Sequence, residues 1–300
     1  MKQGNIRGEI LLFITALIWG TSFVAQRLGI QYIGPFTFTA IRFLIGAASL
    51  IPVILFMNRI NRKHEGHTPS GSRKDLLRSG FACGIVLFTA ISFQQVGLVY
   101  TTAGKAGFIT ALYILLVPLL GLFLHKKVDK AVWFGIMIAI VGLYLLCVQK
   151  GFTIAKGDFI VLCGTVFWAC HILIIDHFAP KVDGVKLSCL QFFIAGTISL
   201  IVALFVETIT FANIIKSAGP ILFCGIVVVG IAYTLQIFGQ RNTNPTIAAL
   251  IMSMESVFAA LSGMVFLDES MTLQETIGCV LMFSAVIITE LKPSRKSAEE

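Results

Sequence analysis

The sequence predicts an all-α integral membrane protein of ten transmembrane helices, arranged as an inverted-topology repeat of five plus five. Three observations carry this expectation. Hydrophobic residues are 57% of the 300-residue chain and charged residues only 13%, with a mean hydropathy of +0.90. Basic residues divide unequally between alternate connections. Short motifs of the first half return in the second, in the same order and at nearly constant spacing.

A soluble domain carries ~25% charged residues to cover its wetted surface, and this chain falls far short of that. A spanning helix takes ~20 apolar residues, so ten use about 200 and leave about 100 for connections and tails. A transmembrane barrel would instead show ~10-residue alternating segments, and none are present. Helices are then the only element whose backbone is satisfied within lipid.

The first span is expected at 9–28. Lys2 and Arg7 precede it as in a signal peptide, but the apolar run is long, contains Trp19 and has no A-x-A site after it. It reads as an uncleaved helix. The others are expected at 36–57, 79–99, 105–124, 131–149, 157–178, 187–206, 218–238, 246–267 and 274–290. Pro35, Pro180, Pro220 and Pro245 fall beside proposed ends, where a missing N–H costs little. Pro52 and Pro118 fall inside spans and predict kinks.

With the N-terminus inside, the connections on that side carry 17 Lys and Arg and those on the other side carry 5. By the positive-inside rule both termini are cytoplasmic, in a multi-pass cell-membrane protein. The same rule accounts for the net charge of +8. No basic patch interleaved with aromatic residues is present, so nucleic acid is not an expected partner. All seven cysteines lie in apolar stretches without a CxxC pair, as small packing residues.

The two units are expected at 1–150 and 151–300. Trp19 in "LIWGTS" matches Trp168 in "VFWACH", and Arg42 in "AIRFLIGA" matches Gln191 in "CLQFFIAG", both 149 positions later. "CGIV" at Cys83 returns at Cys224, an offset of 141, and Gly121 and Gly263 are 142 apart. One longer connection, 58–78, explains the drop in offset. Five helices per unit force the second to enter the membrane with opposite polarity. The basic "HKKVDK" (125–130) and the acidic "DESMT" (268–272) agree with that. Inverted repeats suit transporters, whose halves exchange conformations around a midplane site.

These segments resemble the drug/metabolite transporter superfamily, in its EamA-type ten-helix branch. The resemblance rests on "ALIWGTSF", "AIRFLIGA", "TALYILLVPLLGLFL" and "AALIMSMESVFAALSGMVFLDE", and spans Glu9 to Glu290. It implies a carrier of small metabolites, often an exporter of amino acids or related compounds, often driven by an ion gradient. One departure is visible. The family pattern usually has proline after the glutamate of the ninth helix, and Ser256 follows Glu255 here. A helix break at that point is not assured by the sequence.

Ionisable residues deep in lipid cost about 2.5–3.5 kcal/mol on insertion scales and face the bundle interior. Glu255 falls about 14 Å into its span, and Arg42 about 9 Å from the end of its own, at ~1.5 Å per residue. Glu255 is a candidate proton carrier or amine ligand. Arg42 cannot deprotonate and is a candidate carboxylate ligand. The alternative is a structural role, with the two paired to each other. Thr15, Trp19, Ser22 and Gln26 share one helical face, and their counterparts are Gly164, Trp168, His171 and Ile175. Both stripes read either as cavity wall or as helix packing. His171 offers a proton shuttle or a packing hydrogen bond. Tyr113, Gln94, Gln95, Gln191, Tyr233 and Gln236 add neutral hydrogen-bonding groups deep in the bundle. Lys105 reads as a snorkelling anchor.

"VWFGIMIAIVGLYLLCV" and "IGCVLMFSAVII" are nearly free of such groups and read as lipid-facing or homodimer-forming. Gly80 and Gly84 in "GFACG" fit close GxxxG packing. No HExxH, GxSxG or metal-ligand cluster is present, and "TTAGKAG" fails as a phosphate loop. No catalytic residue, metal or cofactor is therefore expected. The expectation is a secondary transporter whose partners are a small-molecule substrate and the lipid bilayer. A lipid flippase, and then an intramembrane enzyme, are the alternatives.

Overall fold

Ten apolar runs fold into helices in the expected order. The computed structural model describes residues 6–63, 72–101, 103–125, 128–147, 155–267 and 272–290. The first three runs form α1 (Ile6–Gly29), α2 (Pro35–Lys63) and α3 (Arg73–Tyr100). The fourth forms two helices, α4 (Ala103–Ala111) and α5 (Tyr113–Phe123). α6 (Lys130–Cys147), α7 (Lys156–Phe178) and α8 (Gly184–Val206) follow. The eighth run holds α10 (Ala218–Leu222), a π-helix (Phe223–Ala232) and α11 (Tyr233–Gln240), preceded by the short α9 (Phe211–Lys216). The ninth is again divided, into α12 (Pro245–Met252) and α13 (Glu255–Leu267), and the tenth is α14 (Leu273–Glu290). Among the described residues eight apolar stretches are long enough to cross a membrane, and Lys130–Leu145 and Leu273–Thr289 are shorter. Residues 126–127 and 268–271, within the two loops whose charges were compared, lie outside the described residues.

Helix ends follow local chemistry. Pro245 opens α12 where its missing N–H is not needed, and the Asn244 side chain accepts the Thr246 N–H at 2.9 Å. Asp183 caps α8 by accepting the N–H groups of Val185 and Lys186, each at 3.0 Å. The equivalent position before α2 is Gly34, which has no side chain to cap with. Glu207, from the end of α8, supplies the carboxylate instead. It accepts the Phe36 and Thr37 N–H groups at 2.8 Å each and the Thr37 hydroxyl at 2.6 Å.

That contact also fixes direction. The end of α8 meets the start of α2, so these equivalent helices run antiparallel. α6 and α14 do the same: Gly135 faces Thr289, and Gly142 faces Gly278 and Met282. The repeat is therefore inverted. The halves interlock, because α1 packs on the π-helix, α11 and α13, and α7 packs on α3, α4 and α5. We call the face carrying Ile6 the near face and the opposite one the far face.

Small residues allow the closest approaches. A Cβ on Gly84 would lie 2.8 Å from the Ile194 side chain, and one on Gly80 would lie 2.2 Å from Leu190. The GxxxG pair of α3 thus seats α8. α6 and α14 stand apart from the centre and pack on each other. Phe134, Met137, Val141, Tyr144, Val280 and Ile287 on them are exposed. In a membrane protein such side chains meet lipid, or a second copy of the chain.

Two breaks depart from the simplest expectation. The fourth span breaks at Leu112, six residues before Pro118, which lies inside α5. The Ile109 carbonyl there accepts the Thr165 hydroxyl of α7 at 3.0 Å, and Leu112 N–H bonds Ile109 O in a tightened turn at 3.2 Å. The ninth span breaks at Ser253 and Met254 without any proline. The Ser253 hydroxyl donates to Leu250 O at 2.7 Å, and Met254 N–H turns to Ile251 O at 3.1 Å. Serine back-bonding of this kind bends helices.

Candidate functional site

The two breaks place the residues that follow them. Tyr113 opens α5 and Glu255 opens α13, and they stand 142 positions apart, the offset of the repeat. They meet at the centre of the bundle, where the Tyr113 hydroxyl donates to Glu255 Oε1 at 3.2 Å. Tyr113 is 1% exposed and Glu255 is 3% exposed.

Beside them lie the two repeat-related tryptophans. The ring centroids of Trp19 and Trp168 are 6.1 Å apart, and Tyr233 lies 4.8 Å from Trp19 and 6.2 Å from Trp168. These distances leave no room for a ligand between the rings. They form a floor instead, at mid-height in their helices.

Above this floor is a narrow cavity of about 20 Å³, room for about one water molecule. Trp19, Trp168, Tyr113, Tyr233 and Glu255 bound it centrally, while Ser22, Phe23, Gln26, Arg42, Gln94 and Thr110 carry it toward the far face. Gln94 donates to the Thr110 hydroxyl at 3.1 Å, and Gln26 donates to the Ser22 hydroxyl at 2.9 Å. Arg42 is 2% exposed. Its guanidinium lies 5.2 Å from the Phe38 ring centroid and 5.4 Å from that of Phe43, within cation–π range. Arg42 and Glu255 form no ion pair with each other. Among the described residues the Arg42 Nε and Nη2 groups have no hydrogen-bond partner, and neither do the indole N–H groups of Trp19 and Trp168. Four unpaired donors thus belong to cavity residues. Among those residues the unpaired buried acceptor is Gln26 Oε1.

The cavity gathers six of the nine candidates read from the sequence: Trp19, Arg42, Tyr113, Trp168, Tyr233 and Glu255. His171, Gln191 and Gln236 are fully buried elsewhere. His171 Nε2 lies 3.1 Å from Gln191 Oε1, and neither amide atom of Gln236 has a partner among the described residues. Of the polar stripe on α1, Thr15 turns away and donates to Ala232 O at 3.2 Å. Its counterpart Gly164 packs on Phe93, and Ile175 lies in a separate apolar cluster. Among the described residues no group of three His, Cys, Asp or Glu side chains could hold a metal ion.

Two carboxylates escaped the sequence reading. One is Glu207, the cap supplied to α2. The other is Asp158 near the far-face end of α7, which accepts the Ala155 N–H at 2.8 Å and the Thr101 hydroxyl, and lies 3.5 Å from Lys105 Nζ. Lys105 is thus an ion-pair partner rather than a free anchor. Acidic residues at helix ends look solvated in a sequence, and only the tertiary structure gives them partners.

Known proteins give the chain its relatives. The model of the EamA-like transporter family matches it twice, over residues 6–148 and 155–291. An uncharacterised transporter of Archaeoglobus fulgidus is 31% identical, over 97% of this chain and 90% of that protein. The uncharacterised transporter YyaM of Bacillus subtilis is 27% identical, over 96% and 92%. A chain of known crystal structure shares the fold, with a TM-score of 0.79 at 20% identity, covering 96% of this chain and 98% of that one. The duplicated match, the identity to the archaeal relative and the inverted ten-helix architecture lead to one conclusion: the chain belongs to the EamA-like transporter family.

Proposed function

We propose that the protein is a secondary active transporter that exports a small metabolite, such as an amino acid or related compound, by alternating access. The units are residues 1–150 and 151–300, set in the cell membrane with both termini in the cytoplasm. One observation carries the reading. A central cavity, walled by both halves, holds an arginine and a glutamate that do not neutralise each other.

The excess of unpaired donors supports a ligand rich in acceptors. A buried donor left without a partner costs ~1–3 kcal/mol, more when charged. A carboxylate on Arg42 would relieve the largest of these costs, with an indole N–H as a further donor. Glu255 is the negative group in the same space, suited to a substrate amine or to a transported proton. Tyr113 holds the carboxylate in place. Arg42 stays charged throughout and so serves the substrate rather than the proton. At about 20 Å³ the cavity admits little more than water in this conformation, so a substrate binds only when the site opens further.

The test is reconstitution of the purified protein into liposomes, with labelled amino acids and other small metabolites supplied under an imposed pH gradient. The expected result is uptake or release of at least one zwitterionic solute that follows the gradient. Folded protein that moves no solute faster than empty liposomes overturns the proposal. Scrambling of labelled lipid by the same liposomes would favour a flippase instead.

A further inference from the structure

Each half carries a buried polar cluster at the same place in its repeat. In the first half it is Ser22, Thr39, Arg42 and Gln95. In the second it is His171, Ser188, Gln191 and Gln236. The first three pairs are 149 positions apart and the fourth 141, the two offsets of the repeat. All eight residues are 2% exposed or less.

Both clusters hold polar atoms that no group among the described residues satisfies. In the first these are Thr39 Oγ1, Arg42 Nε and Nη2, and both amide atoms of Gln95. In the second they are His171 Nδ1, Ser188 Oγ, Gln191 Nε2 and both amide atoms of Gln236. Native structures keep few such groups. Two matched sets, generated by one duplication, ask for one explanation.

The first cluster borders the cavity, through Ser22 and Arg42. The second lies in the near-face half of the bundle, below Trp168. The route from there to the near face is closed. Gly8 of α1 is so close to α11 that a Cβ on it would lie 2.9 Å from Gly239 O and 2.8 Å from Thr243 Oγ1. Gln240 donates to Ile172 O at 3.2 Å across α11 and α7.

We propose that His171, Ser188, Gln191 and Gln236 wall a second vestibule, which opens to the near face when the halves exchange conformations and takes up water and the neutral polar part of the substrate. The inference rests on the alternating conformations proposed above. An inverted repeat gives each half the other's environment in turn, so the second cluster should come to border an opening as the first borders the cavity here. The two vestibules differ in chemistry. Arg42 of one is Gln191 of the other, and Ser22 is His171, so the near-face vestibule offers amides and an imidazole in place of a guanidinium.

Ser188→Cys and His171→Cys, made singly in the full chain, are labelled with a membrane-impermeant maleimide from one face at a time. Ser22→Cys serves as the far-face counterpart, and the native cysteines set the background. Ser188→Cys changes one atom and should not disturb folding. Both second-half cysteines are expected to react at least tenfold above background from the near face only, and Ser22→Cys from the far face. Adding Gly8→Val, which wedges α1 from α11, is expected to raise the near-face rate further. Background reaction of both second-half cysteines from both faces, with or without Gly8→Val, overturns the vestibule, as does reaction from the far face. Solute transport is read in the same vesicles. Near-face labelling without transport upholds the vestibule and counts against the transport reading, while transport without labelling does the reverse.

Discussion

The first and second halves of this protein share a backbone plan and differ where charge sits. Span for span they correspond, down to a break before the central residue of the fourth and ninth spans, although the eighth carries a π-helix where its counterpart α3 is a continuous α-helix. Yet Glu255 answers to Tyr113, and Arg42 answers to Gln191. The first half gives the centre Arg42 and Tyr113, and the second gives it Glu255, while Gln191 lies outside the cavity. Duplication supplies a symmetric frame in which two conformations can have similar energies. Substitution within that frame makes the site polar in a definite direction, with positive charge from α2 and negative charge from α13. The comparison can be broken or sharpened position by position.

The largest effect is expected at the unequal pair in the centre. Glu255→Gln keeps the shape and the hydrogen bond from Tyr113 but removes the ionisable group. It should abolish pH-dependent transport in liposomes while the protein still inserts and folds. Tyr113→Phe, on the other side of the same contact, removes one hydrogen bond worth ~1 kcal/mol and should leave transport within a few-fold of normal. Equal losses in the two variants would mean that the contact is structural and that Glu255 has no separate role in coupling.

Arg42→Gln makes the second helices of the two halves alike at this position. A buried charged partner is worth about 2–5 kcal/mol to the group that binds it, and ~1.4 kcal/mol is tenfold in affinity. The KM for a carboxylate-bearing substrate should therefore rise at least tenfold, with a smaller change for an analogue lacking the carboxylate. Moving the charge, with Arg42→Gln and Gln191→Arg together, should not restore the KM measured from the far face, because Gln191 lies outside this cavity. Full restoration would show that the halves are interchangeable, against the asymmetry argued here.

Much of the frame was legible in the sequence because it rests on rules of composition. The spans follow from hydropathy, and the inversion follows from an odd helix number and a 149-residue offset. Trp19, Arg42, Tyr113, Trp168, Tyr233 and Glu255 were readable as site candidates because aromatic and ionisable groups deep in lipid need a reason to be there. The helix breaks were not legible. One depends on the hydroxyl of Ser253, and the other on Thr165 reaching across from α7. Neither needs a proline, the residue that a reader of sequence looks for. His171, Gln191 and Gln236 share the candidate pattern but lie outside the cavity. A single conformation of an inverted repeat exposes one of its two equivalent faces, whereas a sequence displays both.

A smaller effect is expected where α1 crosses the ninth span. A Cβ on Gly20 would lie 2.5 Å from both Glu255 O and Phe258 Cβ, directly beside the break. The equivalent residue in the second half is Ala169, fully buried and already carrying that methyl group. Gly20→Ala must push against backbone and should cost ~1–3 kcal/mol by overpacking. Ala169→Gly only loses a methyl group and gains helix flexibility, at ~1 kcal/mol. Thermal unfolding in detergent should rank the two variants in that order.

The smallest effect separates the two helix caps. Asp183 caps α8 from within its own loop, whereas α2 borrows Glu207 from the other half. Loss of either cap should cost ~1 kcal/mol, so thermal stability alone will not distinguish Asp183→Ala from Glu207→Ala. Their positions should. The Asp183 cap is local and is kept whatever the halves do. The Glu207 cap ties the start of α2 to the end of α8 at the far face, and any motion that separates those ends must break it. Glu207→Ala should therefore change transport rate, whereas Asp183→Ala should leave it unaltered at matched amounts of folded protein. Equal rates in the two variants would show that α2 and α8 move as one body, with the exchange between faces carried by α1 and α7.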